Sequence, residues 1–240
     1  MSTELSDVLG RARVIDLSYP LTADFPLFPA YDPVRVAQKF SCERDGFFVK
    51  SWAFDEHSGT HVDAPAHFGA GAPTVDRIPP EELILPVVVI DVRERVERDH
   101  DATATPDDVL AFEQRHGPLP GRCAVFALTG WGSRIHDPAA YLNADDSGTL
   151  HAPGFSEELT EFLKDERPGV RAIGLDTASL DIGASRDFPA HVSWLPSCRY
   201  GIENLANLDR LPPTGAVAVI GAPALAGGSG GPTRVLALVT

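Results

Sequence analysis

The sequence has few cysteines and no long hydrophobic run. Its three cysteines, Cys42, Cys123 and Cys198, cannot all pair and form no C-x-x-C motif, so we expect no disulfide framework and a reducing, cytoplasmic location. The longest apolar runs, around 85–90 and 216–220, are far shorter than the ~20 residues that cross a bilayer. The N-terminal stretch M-S-T-E-L-S-D-V-L-G-R lacks a basic start followed by an apolar core, so we expect no secretory signal.

The chain also lacks an excess of basic residues. It has 20 lysines and arginines against 34 aspartates and glutamates, a formal net charge of −14. Nucleic acids and anionic membranes are both bound by basic surfaces, so we expect neither as a partner and predict a small-molecule substrate instead. The 240 residues, 43% apolar and 22% charged, suit one globular domain spanning 1–240.

The most informative stretch runs from His57 to Phe68 and reads H-S-G-T-H-V-D-A-P-A-H-F. It concentrates three of the eight histidines of the chain and one aspartate. Imidazole and carboxylate groups are the usual ligands of zinc and its first-row neighbours. A single histidine would more often be a polar loop residue, but four candidate ligands this close together favour a metal site.

The spacing of these residues restricts the local backbone. On a flat strand, His57 and His61 would lie about 13 Å apart, too far to share an ion. A continuous helix is opposed by Gly59 and ended by Pro65. We therefore expect a bent loop or a single helical turn, in which both histidines and Asp63 converge and His67 approaches from beyond the proline.

The same stretch resembles the H-x-G-T-H-x-D-x-P-x-H-F signature of the cyclase metal-dependent hydrolases, which include bacterial kynurenine formamidase and isatin hydrolase. Every fixed position of the signature is matched. A second segment, 190–212, resembles the other signature of this family, with His191 and Glu203 at the matching positions. The resemblance extends from about Val14 to Leu238.

Charge supports adding the second segment to the site. A divalent ion held by His57, His61 and Asp63 alone keeps one net positive charge, which Glu203 neutralises, while His191 adds a ligand or a second metal position. The resemblance implies that one ion is bound by His57, His61, Asp63 and Glu203. It implies that another is bound by Asp63, His191 and Glu203. The ligands suit zinc or manganese, and one or two ions.

A metal site of this kind predicts hydrolysis of an amide, formamide or lactone. We assign proton transfer to His67, a role that the family resemblance supports. Asp176 and Asp181, in G-L-D-T-A-S-L-D, resemble a third family stretch, and we expect them to orient ligands or support the fold. Phe28 stands where relatives often carry a pocket tryptophan, so we expect it to line the substrate site.

Alternation of strands and helices predicts one mixed α/β (α+β) domain, and the resemblance implies the swivelling β/β/α architecture. The predicted elements are strands at 11–19, 47–54, 83–92, 123–128, 170–175, 216–221 and 235–239, a proline-rich loop at 21–33, and helices at 105–116 and after Ser156. His151 is expected in a loop. The resemblance further implies a homodimer or homotetramer.

Other functions remain as alternatives. G-x-S-x-G around Ser229 suggests a serine hydrolase, but Pro232 follows closely and no aspartate or histidine lies after Ser229 to complete a triad. No local feature marks Cys198 as a nucleophile. A catalytically silent binding module is a further alternative. Among metal-dependent substrates, a formamidase acting in tryptophan breakdown and a cyclic amide or lactone hydrolase both fit, and Phe28 in place of tryptophan weakens the formamidase interpretation.

Overall fold

The computed structural model describes residues 4–240, with side chains from residue 6 onward. The start of the N-terminal stretch, where we predict no secretory signal, lies outside this range. Among the described residues, no helix combines the length and apolar composition needed to cross a membrane.

The strands are, in chain order, β1 (Arg13–Asp16), β2 (Arg35–Phe40), β3 (Val49–Ala53), β4 (His61–Asp63), β5 (Ile84–Asp91), β6 (Thr103–Ala104), β7 (Cys123–Leu128), β8 (Gly154–Phe155), β9 (Val170–Leu175), β10 (Tyr200–Glu203), β11 (Ala216–Ile220), β12 (Gly230–Pro232) and β13 (Val235–Val239). The α-helices are α1 (Glu4–Arg11), α2 (Cys42–Asp45), α3 (Arg93–Val96), α4 (Pro106–His116), α5 (Pro138–Leu142), α6 (Glu157–Glu166) and α7 (Pro189–Trp194).

Within residues 4–240, one large sheet has the strand order β1-β13-β11-β5-β7-β9-β10-β4-β12. Its centre, β5-β7-β9-β10, is parallel, and antiparallel strands extend it on both sides. The central strands are β-branched and apolar because both of their faces are covered. Every residue of β7, for example, is buried.

The alternation of side chains along β5 divides the core into two clusters. Val88 and Ile90 join the helices on one face, whereas Val87 and Val89 enter a cluster on the other face. The second cluster also holds residues of β1, β4 and β11, and a bridge joins the segments that follow β1 and β10. Strands far apart in the sheet order thus share one core, because the sheet curls around it.

The predicted mixed α+β single domain is confirmed, as are its main elements. The helix predicted at 105–116 is α4, with the expected capping box between Thr105 and Asp108, and Ser156 caps α6. Four elements that matter for function were not predicted, namely β4, α7, β10 and β12. α7 carries His191, and β12 lies in a glycine-rich loop between β11 and β13.

The aromatic strand predicted at 47–54 is β3, but it pairs only with β2 as a two-stranded hairpin outside the large sheet. Its apolar side chains face solvent, with Phe48 55% and Trp52 42% exposed. The chain enters this hairpin just after Tyr31 and leaves it just before His57. The hairpin is therefore anchored at both ends beside the histidine-rich segment.

Candidate metal centre

The histidine-rich segment is part turn and part strand. Gly59 adopts a left-handed φ of 70°, which bends the chain as predicted and brings His57 back towards the strand that follows. The expectation of a loop or helical turn throughout was incomplete, because His61 and Asp63 belong to β4. Their alternation places both side chains on one side of the strand, while Val62 enters the core on the other.

The second segment reaches the same place by strand pairing. β10 runs antiparallel to β4, with Glu203 opposite His61. His191 arrives from α7, where its Nδ1 lies 2.6 Å from the Asp181 carboxylate. Asp181 also accepts hydrogen bonds from the backbone at the start of α7, so it fixes both the helix and the imidazole, as we expected for a supporting acid.

The candidate ligand atoms lie within reach of common ions. Asp63 Oδ1 is 2.6 Å from His57 Nδ1 and 3.2 Å from His61 Nε2. Glu203 Oε1 is 3.1 Å from His191 Nε2, and its Oε2 is 3.4 Å from His61 Nε2. Two three-residue groups could each hold an ion, and they share Asp63. Glu203 falls in the second group, together with His191, and not in the first.

The donor set fits a divalent metal. Asp63 and His61 are 1% and 2% exposed, yet Asp63 Oδ2 and His61 Nε2, although close to neighbouring nitrogen and oxygen atoms, make no well-aligned hydrogen bond in the described chain. Buried polar atoms without a partner are costly and rare. An ion held by mixed nitrogen and oxygen ligands would satisfy both atoms at once.

The electrostatics show how strongly the site attracts positive charge. Burial opposes charge on His61, but Asp63 and Glu203 outweigh it and raise the pKa of this imidazole to about 9. Burial also opposes ionisation of Asp63, but the neighbouring histidines outweigh it and hold its pKa well below the usual range. Burial and the Asp63 charge raise the pKa of Glu203. The cluster thus binds a proton tightly at a position where a metal ion would replace it.

His67 differs from the other histidines of the cluster. Its ring stacks on His57 with 3.8 Å between ring centroids, and it faces the pocket from the 3₁₀ turn Pro65–His67. Burial and the neighbouring histidines lower the pKa of His67 to about 4, although the charge of Asp63 opposes this. Its imidazole is therefore neutral near pH 7 and can accept a proton.

A pocket of about 200 Å³ opens above the cluster. Phe28 lines it together with Tyr31, Phe68 and Phe188, and of these four only Phe28 was named as a pocket residue from the sequence. Phe188 has a left-handed φ of 52°, and its ring lies edge-on to Phe28 and Phe68. No lysine or arginine is among the residues that line this pocket.

A larger cavity of about 570 Å³ lies away from the cluster, at the carboxyl ends of β5, β7 and β9. Asp176 reaches it, but its carboxylate accepts hydrogen bonds from Thr129 and from the backbone of Gly132. Its role is therefore to tie these loops together, whereas Asp181 serves the histidine cluster. We place the substrate in the smaller pocket, because the candidate ligands and His67 line it.

The sequence of this chain is similar to that of a known protein family. The sequence model of the family described as Putative cyclase matches residues 15–182, more than half of the chain. The chain belongs to the cyclase family. The matched region includes the histidine-rich segment but ends before His191 and Glu203, which reach the site through α7 and β10.

Members of the cyclase family similar to this chain are hydrolases. An isatin hydrolase from Roseibium aggregatum is 35% identical over 246 residues, covering 96% of this chain and 93% of the relative. A kynurenine formamidase from Bordetella petrii is 31% identical over 196 residues, covering 80% and 82%. The structure of isatin hydrolase A from Ralstonia solanacearum superposes with a TM-score of 0.92 at 36% identity, covering 100% of this chain and 98% of that one. The protein is thus a hydrolase of this family, with residues that could bind a metal.

Three predicted positions lie outside the cluster. His151 lies in a loop, as expected, where its Nδ1 is 2.6 Å from Asp101. Cys198 is an exposed free thiol and does not line the pocket. Ser229 lies beside His57, but its hydroxyl donates to Glu56. Ser229, His57 and Asp63 lie in hydrogen-bond contact in that order, but the Ser229 hydroxyl gives its proton to Glu56 and not to His57, and Ser229 is not among the residues that line the pocket.

Proposed function

We propose that this hydrolase opens the ring of a small, neutral, aromatic cyclic amide by cleaving its carbon–nitrogen bond. The observation that carries this proposal is the pocket. Aromatic side chains form its walls, the candidate metal ligands form its floor, and no lysine or arginine of the described chain lines it. At about 200 Å³ it is smaller than the roughly 300–1,000 Å³ pockets that hold drug-sized ligands, which suits a compact bicyclic substrate.

In this proposal, His57, His61 and Asp63 hold one zinc or manganese ion, and Asp63, His191 and Glu203 hold a second where two are bound. A bound ion would supply a water of lowered pKa and would polarise the substrate carbonyl. Asp63 belongs to both groups, so its carboxylate sets their common position. Asp181 fixes the orientation of His191 by its short hydrogen bond.

His67 would carry the proton. Its neutral imidazole accepts a proton from the attacking water, whose oxygen joins the carbonyl carbon, and then donates it to the nitrogen as the carbon–nitrogen bond breaks. One water is consumed, and in a cyclic amide the new amine and the new carboxylic acid, which then releases its proton to solvent as a carboxylate, remain on one molecule. The low pKa of His67 keeps the accepting form populated at neutral pH.

A formamidase acting on N-formylkynurenine, and hence in tryptophan breakdown, is the second candidate. Its support is the similarity to kynurenine formamidases. Against it stands the absence of a lysine or arginine in the pocket lining, because the amino-acid end of that substrate carries a carboxylate that would need a charged partner. The aromatic lining satisfies a neutral ring without such a partner.

A substrate panel tests the choice. Isatin, N-formylkynurenine and an aryl lactone would be assayed with zinc and with manganese, and kcat/KM compared. We expect isatin to exceed N-formylkynurenine by at least about tenfold. A preference for N-formylkynurenine would refute the cyclic-amide proposal while keeping the metal-dependent hydrolase.

A silent binding module remains the non-enzymatic alternative. Removing the metal with a chelator distinguishes the enzyme from the binding module. Hydrolysis that is lost and then restored by zinc or manganese supports the enzyme. Ligand binding that is unchanged in the metal-free protein, without any turnover, supports the module.

We also propose that the hairpin β2–β3 joins two copies of the chain into a homodimer, or a homotetramer built from such dimers. Phe40, Phe47, Phe48 and Trp52 are each at least 40% exposed on it, and exposed apolar patches commonly mark interfaces. Residues 35–54 carry four basic and two acidic side chains, in a chain whose net charge is −14. A second copy therefore offers the complementary acidic surface. We keep the cytoplasm as the expected location, supported by three free cysteines.

A further inference from the structure

The glycine-rich loop G-G-S-G-G-P lies against the candidate metal centre. β12 pairs with β4, so that Gly230 is opposite Asp63, and this pairing brings Ser229 next to His57. The Ser229 hydroxyl lies 2.9 Å from His57 Nε2. It also donates to Glu56 Oε2 at 2.6 Å, and the Ser229 backbone N–H donates to the same oxygen at 2.8 Å.

These contacts determine which nitrogen of His57 carries the proton. A carboxylate accepts hydrogen bonds and donates none, so the hydroxyl proton of Ser229 points to Glu56. The hydroxyl oxygen must then accept from His57, which places the imidazole proton on Nε2. The lone pair of Nδ1 is left facing Asp63 Oδ1, 2.6 Å away. A positive charge must lie between two acceptors this close: a proton on Nδ1 in the metal-free protein, or a metal ion when one is bound, and His57 and Asp63 belong to one candidate metal group.

The glycines of the loop make room for this arrangement. A Cβ on Gly230 would lie 2.7 Å from His57 Cε1, and a Cβ on Gly228 would lie 2.6 Å from Glu56 Oε1. Both distances are far below van der Waals contact. The two glycines that flank Ser229 directly, at the variable positions of the G-x-S-x-G pattern, therefore each leave room for one of the two side chains that the serine connects.

We propose that Ser229 and Glu56 are positioning residues that hold His57 as a metal ligand through Nδ1, with its proton on Nε2. The proposal rests on the metal site of the proposed function, but not on the substrate. Partners of this kind fix the tautomer and orientation of a ligating imidazole, and their loss typically weakens metal affinity about 10- to 100-fold.

Zinc affinity of the full-length protein, measured by competition with a chromophoric chelator, tests this. We expect Ser229→Ala to weaken zinc binding about 10- to 100-fold, Glu56→Gln to weaken it in the same direction, and Ser229→Thr to restore most of the affinity because it keeps the hydroxyl. Ser58→Ala is the matched control. Ser58 is fully buried next to His57 and its hydroxyl has no hydrogen-bond partner in the described chain, so its affinity should stay within about twofold of wild type.

A second readout needs no variant. Long-range ¹H–¹⁵N NMR of zinc-loaded wild type should show His57 bound through Nδ1 and protonated on Nε2. Binding through Nε2, or equal zinc affinity of Ser229→Ala and Ser58→Ala, would overturn the proposal, as would a wild type that binds no zinc. If the affinity pattern holds but no amide is hydrolysed, the positioning role stands and the proposed hydrolase activity fails.

Discussion

Replacing His67 tests the assignment of proton transfer more sharply than any other substitution. The side chain contacts the cluster through its ring alone, stacked on His57 at 3.8 Å and edge-on to His191 at 6.0 Å between ring centroids, and belongs to neither candidate metal group. His67→Ala should therefore keep the metal and lose the base. His67→Gln, which fills similar space without basicity, should behave in the same way.

The expected loss follows from the role. A positioned general base contributes about 10²–10⁴ in rate, equivalent to about 2.7–5.4 kcal/mol of transition-state stabilisation. Because the pKa of His67 is lowered to about 4, nearly all of the wild-type protein has the neutral imidazole at pH 7.5, and no part of the loss reflects incomplete deprotonation. The lowered pKa also makes this imidazole a weaker base, so we expect a loss in kcat near the lower end of that range.

The assay compares kcat and bound metal for the two His67 variants and for Asp63→Ala. We expect the His67 variants to retain wild-type metal content, with turnover of His67→Ala partly rescued by added imidazole, which fits the space left in the pocket. Asp63→Ala should lose both metal and turnover. Full activity of His67→Ala, or loss of its metal, would refute the role that we give to this residue.

Two further predictions concern stability and assembly. A hydrogen bond to Asp101 raises the pKa of His151 above 6.5, and a raised folded-state pKa stabilises the fold below the unfolded pKa but ceases to do so as pH rises through the folded pKa. The melting temperature of wild type should therefore exceed that of His151→Asn by more at about pH 6 than at about pH 9. An equal difference at both pH values would contradict this. The double variant Phe47→Ser, Trp52→Ser should be a monomer in light scattering after gel filtration. Leu110→Ser on α4, where the side chain is similarly exposed, should leave the oligomer intact. A monomeric wild type would exclude the hairpin interface.

The candidate ligands were predictable from the sequence because they occur in dense patterns. His57, His61 and Asp63 are so close in sequence that they can share an ion only if the chain bends between the two histidines, and Gly59 lies there. The convergence of Glu203 with them was inferred from charge and resemblance. The physical cause, pairing of β10 with β4, is a long-range contact that no local pattern reveals.

The pocket walls and the supporting residues could not be predicted in the same way. Tyr31 and Phe188 lie in irregular segments, where no periodicity shows which way a side chain points. β12 could not be predicted from the sequence because it has three residues, two of them glycine. Asp176 and Asp181 lie in one short stretch, and only the fold shows that Asp181 supports His191 while Asp176 holds a neighbouring loop.

Anomalous X-ray diffraction at the zinc and manganese edges, on crystals grown with each metal, tests the central claim most directly. If one ion binds, we predict an anomalous peak in the buried cluster within about 2.0–2.6 Å of carboxylate oxygens of both Asp63 and Glu203. If two ions bind, both peaks should lie within this distance of Asp63, and one of them should also lie within it of Glu203. A cluster without any peak, or an ion that only the segment around residue 60 touches, would contradict it.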